Sequence, residues 1–241
     1  MALTDAVEIP RRTMVLFFVV DTSGSMEGSK LGAVNTAIEE VIPAIKEISD
    51  ENADAQIKIA ALEFSSGARW IKENANGPVE SDQFHWKELQ AAGVTDLGAA
   101  CKALNEKLST KAFMKEATGS FAPAIFLLSD GEPTDEWRGG LGILKQNKWF
   151  STAVKVAVAI GDDANMDVLA EFTGSKEAVI KVHTPEALKK MIKFVSVRAS
   201  QVASKSSNAG AAGDEQKQAE LNASIQEEIA TLPDNSQDEY D

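Results

Sequence analysis

Met14-Val15-Leu16-Phe17-Phe18-Val19-Val20-Asp21-Thr22-Ser23-Gly24-Ser25-Met26 is the stretch on which the fold turns. Its first seven residues are apolar without interruption, the pattern of a strand buried on both faces of a parallel sheet. The run stops at Asp21. Ser23 and Ser25 follow at alternate positions, and Gly24 between them permits a tight turn. Helical spacing begins near Gly28, with Leu31, Val34, Ile38, Val41, Ile42, Ile45 and Ile48 on one face. Pro43 falls inside this pattern and is expected to kink or divide the helix.

Working outward, the same alternation repeats along the chain. Gln56–Phe64 reads as a second strand, and Ser65-Ser66-Gly67 as a turn into an antiparallel edge strand around Arg69-Trp70-Ile71. Gly93-Val94-Thr95-Asp96-Leu97-Gly98 opens a helix carrying Leu97, Cys101, Leu104 and Leu108. Ala124–Leu128 is a buried strand ending in Ser129-Asp130-Gly131, and a helix is expected from there to about Trp149. Val154–Ile160 and Val179–Val182 are further strands, with a short helix at Met166–Phe172 between them. Thr184 and Pro185 start a last strong helix through Leu188, Ile192, Val195, Ala199 and Val202. Alternating strands and helices predict an α/β fold: a doubly wound, mostly parallel sheet with one antiparallel edge strand and helices on both faces.

The chain has 241 residues and 44% apolar content, enough for one substantial core with length left over. Residues 1–13 read as an N-terminal extension, 14–203 as the folded domain and 204–241 as a tail. The tail holds nine acidic residues against Lys205 and Lys217, a net of −7 out of −13 for the chain, so it reads as disordered. Leu221, Ile225, Ile229 and Leu232 would line one face of a short amphipathic helix within it, marginal in isolation. There is no apolar run long enough to span a bilayer. Met1–Thr13 carries Asp5 and Glu8 and lacks a signal-peptide core, and Cys101 is the single cysteine. These features lead us to expect a cytoplasmic protein. A net charge of −13 argues against a nucleic-acid partner.

Three strand or helix ends carry the candidate chemistry: Asp21 with Ser23 and Ser25, then Thr95, then Asp130. In a doubly wound sheet the carboxyl ends of the strands share one edge, so these residues converge from distant parts of the chain. Two carboxylates and three hydroxyls suit a hard divalent cation, Mg²⁺ or Mn²⁺, which keeps part of its water shell. Taken singly, Asp21 and Ser23 read as helix caps. Taken with Thr95 and Asp130, they read as a metal site. His85 and His183 have no partners at zinc-ligand spacing.

This constellation resembles the metal-ion-dependent adhesion site (MIDAS) of the von Willebrand factor type A (VWA) domain, written D-x-S-x-S, then a distant Thr, then a distant Asp. Asp21, Ser23 and Ser25 match the first part, Thr95 the second and Asp130 the third. The resemblance covers residues 14–203 and implies a Rossmann-like VWA fold. It also implies that Ser23, Ser25 and Thr95 ligate the metal directly, and the aspartates directly or through water. Val20–Met26 is most similar to the intracellular bacterial branch that includes proteins of tellurite-resistance clusters.

The function expected is a non-enzymatic, metal-dependent protein–protein interaction module that captures an acidic residue of a partner. A subunit of a larger ATPase or chelatase-type assembly is the runner-up. A metal-dependent hydrolase ranks last, because the sequence has no G-x-x-x-x-G-K-[ST] or G-x-S-x-G motif and position 23 is Ser rather than a second carboxylate.

Overall fold

The computed structural model describes residues 11–53, 55–115, 119–203 and 211–232. Strands are β1 (Arg12–Asp21), β2 (Ala55–Ser65), β3 (Gly67–Trp70), β4 (Val79–Glu80), β5 (Ala124–Ser129), β6 (Val154–Ile160) and β7 (Val179–Val182). Helices are α1 (Ser29–Glu51), α2 (Leu97–Lys107), α3 (Trp137–Lys145), α4 (Lys148–Thr152), α5 (Met166–Thr173), α6 (Pro185–Ala203) and α7 (Ala211–Ile229). The sheet order is β3-β2-β1-β5-β6-β7, parallel throughout except for β3. The two-residue β4 also pairs antiparallel with β2, nearer its start, at Lys58 and Ile59.

β1 lies at the centre, hydrogen-bonded to β2 and β5, and its side chains from Met14 to Val20 are wholly buried. Strand alternation divides them. Met14, Leu16, Phe18 and Val20 face α1, α6 and α7, while Val15, Phe17 and Val19 face α2, α3 and α5. That two-sided burial explains the uninterrupted apolar run and fixes Asp21 at the strand's exit, between the two helical layers.

Local differences from the sequence reading have identifiable causes. α1 continues unbroken through Pro43, which lies on the exposed side of a helix otherwise held down by Val34, Ile38, Val41 and Ile45. The helix expected to reach Trp149 is two helices, because Asn147 starts a new one: its side chain accepts from Trp149 N at 2.9 Å. β1 starts at Arg12, two residues before the expected domain boundary.

The tail is the largest difference. Residues 204–210 and 233–241 lie outside the described residues, but Ala211–Ile229 is a docked helix rather than a disordered segment. Leu221 and Ile225 are wholly buried, and Ile229 and Leu232 pack against the same core. Burying each of the first two contributes about 1.5–3 kcal/mol, which offsets the cost of ordering a helix that is marginal alone. Polar contacts fix its position. The Gln218 side-chain amide donates to Lys155 O at 3.0 Å and accepts from Lys155 N at 2.8 Å, satisfying β6 where β7 does not reach.

Cys101 is buried on the α2 face that meets the sheet. Burial, with a smaller contribution from Asp135, pushes its thiol pKa up to about 12. We expect no reaction with Ellman's reagent in the native protein at neutral pH and one thiol released in denaturant. Rapid native labelling would show that α2 opens readily.

Candidate metal-binding site

The carboxyl ends of β1 and β5 and the entry to α2 meet at one edge of the sheet, where Asp21, Ser23, Ser25, Thr95 and Asp130 come together. Asp21 is fully buried. Its Oδ1 accepts from Ser23 N at 2.9 Å and its Oδ2 from Ser129 Oγ at 2.6 Å. Ser23 Oγ lies 3.1 Å from Ser25 Oγ, which donates to Asp130 Oδ1 at 2.8 Å. Gly131 marks where the remaining hydroxyl enters. A side-chain carbon added there would stand 3.5 Å from Ser25 Oγ and 3.6 Å from Thr95 Oγ1.

Each piece is held by local chemistry. Gly93 has φ +82°, and a side chain on it would collide with Ser66. Only glycine suits that position, and there its carbonyl accepts from Gly24 N at 3.1 Å, joining the two loops. Thr95 exchanges two bonds with Thr134: its N donates to Thr134 Oγ1 at 3.1 Å, and its O accepts from Thr134 N at 2.8 Å. Asp135 accepts from Gly98 N and Ala99 N at 3.0 and 3.1 Å. It therefore caps α2, 36 to 37 residues earlier in the chain, and not the helix that follows it. That helix, α3, is capped by Glu136, which accepts from Gly139 N. Asp96 accepts from Gly67 N at 2.8 Å and so ties α2 to the β2–β3 turn.

Two groups that the sequence reading did not assign complete the cluster. Ser129 is one, a hydroxyl ending an otherwise apolar strand. The other is Lys30, whose Nζ donates to Asp130 Oδ2 at 2.8 Å and lies 3.7 Å from Asp163 Oδ2. The Lys30 side chain is 11% exposed and that of Asp130 is fully buried.

Burial raises the Asp21 pKa. The hydrogen bonds from Ser129 and Ser23 oppose that shift, and the nearby Asp130 charge adds to it. A buried carboxylate whose charge is disfavoured, beside a second carboxylate and three hydroxyls, fits a hard cation by its donor chemistry. The hydroxyls matter to that fit. Among the described residues there is no group of three or more His, Cys, Asp or Glu side chains placed to hold a metal ion.

The Phe84–Trp86 loop packs on α1, with Trp86 Nε1 donating to Asn35 Oδ1 at 3.1 Å, and Trp137 is buried in the opposite layer. No helix among the described residues is long and apolar enough to cross a membrane.

The fold and cluster define a class: a doubly wound α/β domain with acidic and hydroxyl side chains gathered at the carboxyl edge of its central strands. The sequence profile of the von Willebrand factor type A domain matches residues 16–194, and the chain belongs to that family. No curated protein matches it by sequence alone. Solved structures share the fold. A von Willebrand factor type A protein from Catenulispora acidiphila aligns with TM-score 0.57 at 15% identity, over 78% of this chain and 43% of that one. The pilus adhesin SpaC from Lactobacillus rhamnosus GG, in an open conformation, aligns with TM-score 0.60 at 14% identity, over 78% and 30%. Proximal thread matrix protein 1 from the mussel byssus, with a zinc-occupied MIDAS motif, aligns with TM-score 0.52 at 18% identity, over 78% and 46%. The present chain thus spans less than half the length of these three.

Proposed function

We propose that the protein is a non-enzymatic binding module that captures an acidic side chain of a protein partner through a divalent cation, Mg²⁺ or Mn²⁺. The cation would be held by Asp21, Ser23, Ser25, Thr95 and Asp130. The observation that carries this reading is the continuous chain from Asp21 through Ser23 and Ser25 to Asp130, buried at one end and open at Ser25. A bound Mg²⁺-type ion supplies a hard positive centre with coordination positions left for an outside oxygen.

The chain's own groups favour holding over turnover. Both Asp21 oxygens accept hydrogen bonds, from Ser23 N and Ser129 Oγ, so neither is poised to take a proton from a substrate. Both Asp130 oxygens are engaged, by Ser25 and Lys30. The rim offers contact area for a protein. Val94, beside Thr95, is 48% exposed, and a cleft of about 260 Å³ between Thr22, Ser66, Arg69 and Ala92 opens next to it. We extend the reading to a cytoplasmic bacterial stress-response or signalling system on the resemblance of Val20–Met26 alone.

The test is calorimetric titration of Mg²⁺ and Mn²⁺ into EDTA-stripped wild type and Ser23→Ala, followed by capture of acidic peptides with and without metal. We expect binding in wild type, loss in Ser23→Ala, and peptide capture only with metal. A folded wild type that binds neither ion would end this reading.

A further inference from the structure

Lys30 is an unexpected residue to find in the cluster. It lies in the first turn of α1, where the helix dipole favours acids over ammonium groups. Its side chain is almost wholly buried, which alone disfavours charge. Asp130 Oδ2, 2.8 Å from its Nζ, offsets both penalties. Asp163, 3.7 Å away, is 73% exposed and so contributes a screened attraction.

We propose that Lys30 opposes the metal at Asp130 by its charge, so that an incoming carboxylate tightens metal capture. This rests on the metal reading above and names what regulates that site. The charge count gives the reason. Asp21 and Asp130 carry −2 together, and Lys30 reduces this to −1. A divalent cation added to that cluster leaves it at +1 in a buried setting, whereas without Lys30 it would be neutral. A partner's carboxylate restores neutrality, so cation and acidic partner bind as a coupled pair. Asp130 keeps Oδ1 toward Ser25 and the hydroxyls while Lys30 holds Oδ2, so the ammonium need not leave when a cation arrives. It weakens the cation by charge rather than by blocking it.

The discriminating experiment titrates Mn²⁺ calorimetrically into the full chain, with and without sodium acetate at matched ionic strength. Acetate stands for the partner's carboxylate, and its own association with Mn²⁺ is corrected for. Wild type, Lys30→Met, Lys30→Arg and Ser23→Ala are compared, with thermal melts confirming that each is folded. Without acetate, Lys30→Met is expected to bind Mn²⁺ on the order of ten-fold tighter than wild type. Acetate tightens wild type and Lys30→Arg, and tightens Lys30→Met much less. If Lys30 only orients Asp130, Lys30→Met binds Mn²⁺ equally or more weakly, and the proposal is overturned while the metal reading stands. If no protein binds Mn²⁺, both fall. If Ser23→Ala binds as wild type does, the metal lies elsewhere and both fall again.

Discussion

Gly140→Ala is expected to lower the melting temperature by roughly 2–8 °C, and Gly142→Ala, two residues along the same helix, to raise it. In α3 a side-chain carbon on Gly140 would lie 2.6 Å from Gly98 O and 3.0 Å from Gly98 Cα. Both are backbone atoms of α2, so no flexible side chain can swing away. The two helices touch main chain to main chain there, and an added methyl forces them apart. Overpacking of this kind costs about 1–3 kcal/mol, against a gain of up to about 1 kcal/mol in helix propensity. A net loss of about 1–2 kcal/mol gives the stated shift at the roughly 2–4 °C per kcal/mol of a domain this size. A carbon on Gly142 meets nothing within 4 Å, so only the propensity gain remains. Calorimetric melts of the two variants check the sign reversal. Equal shifts would mean that α2 and α3 can slide apart at little cost. The contact also bears on the site. α2 begins two residues after Thr95, and Asp135, just before α3, caps it, so spreading the helices loosens the Thr95 hydroxyl.

The sheet was legible in the sequence because a strand buried on both faces leaves a run of apolar residues that little else produces. Met14–Val20 and Ala124–Leu128 have this form, and Val154–Ile160 departs from it only at Lys155. Asp21, Ser23, Ser25 and Asp130 were conspicuous because they stand at or just after the points where apolar runs stop; Thr95 instead opens a helix, α2. Contacts formed only across the fold were not legible. Asp135 sits two residues before α3 in the chain, yet it caps α2, which only the packing of the two helices reveals. Lys30 carried one weak signal, a cation in a first turn where an anion is preferred. Its partner, Asp130, is 100 residues away. In the tail the acidic composition pointed to disorder while the stripe of Leu221, Ile225, Ile229 and Leu232 pointed to a helix, and the stripe decides the structure. Leu221 and Ile225 are one turn apart on α7, and their burial against α6 and β6 is enough to dock it.

Asp21→Asn is expected to abolish metal binding and yet to melt above wild type when both are stripped with EDTA. In the folded protein burial raises the Asp21 pKa above its unfolded value. Stability from that linkage is therefore present at low pH and lost as pH rises through the folded pKa. Above that folded pKa the ionised carboxylate works against folding. Asparagine removes the charge and keeps the shape. Its carbonyl can accept from Ser23 N as Oδ1 does, and its amide can donate to Ser129 Oγ, a hydroxyl able to reverse its role. The stripped variant should therefore gain a few degrees. Metal reverses the order. Mn²⁺ at a hundred times its dissociation constant stabilises wild type by about 2.7 kcal/mol, and the variant, lacking one of two charged ligands, gains nothing. The curves of melting temperature against Mn²⁺ concentration should cross. Parallel curves would show that Asp21 does not hold the ion. A stripped variant melting below wild type would show that the Asp21 hydrogen bonds outweigh its buried charge. A crossing would mean that the central strand ends in a group the fold tolerates at a cost, offset when a cation arrives.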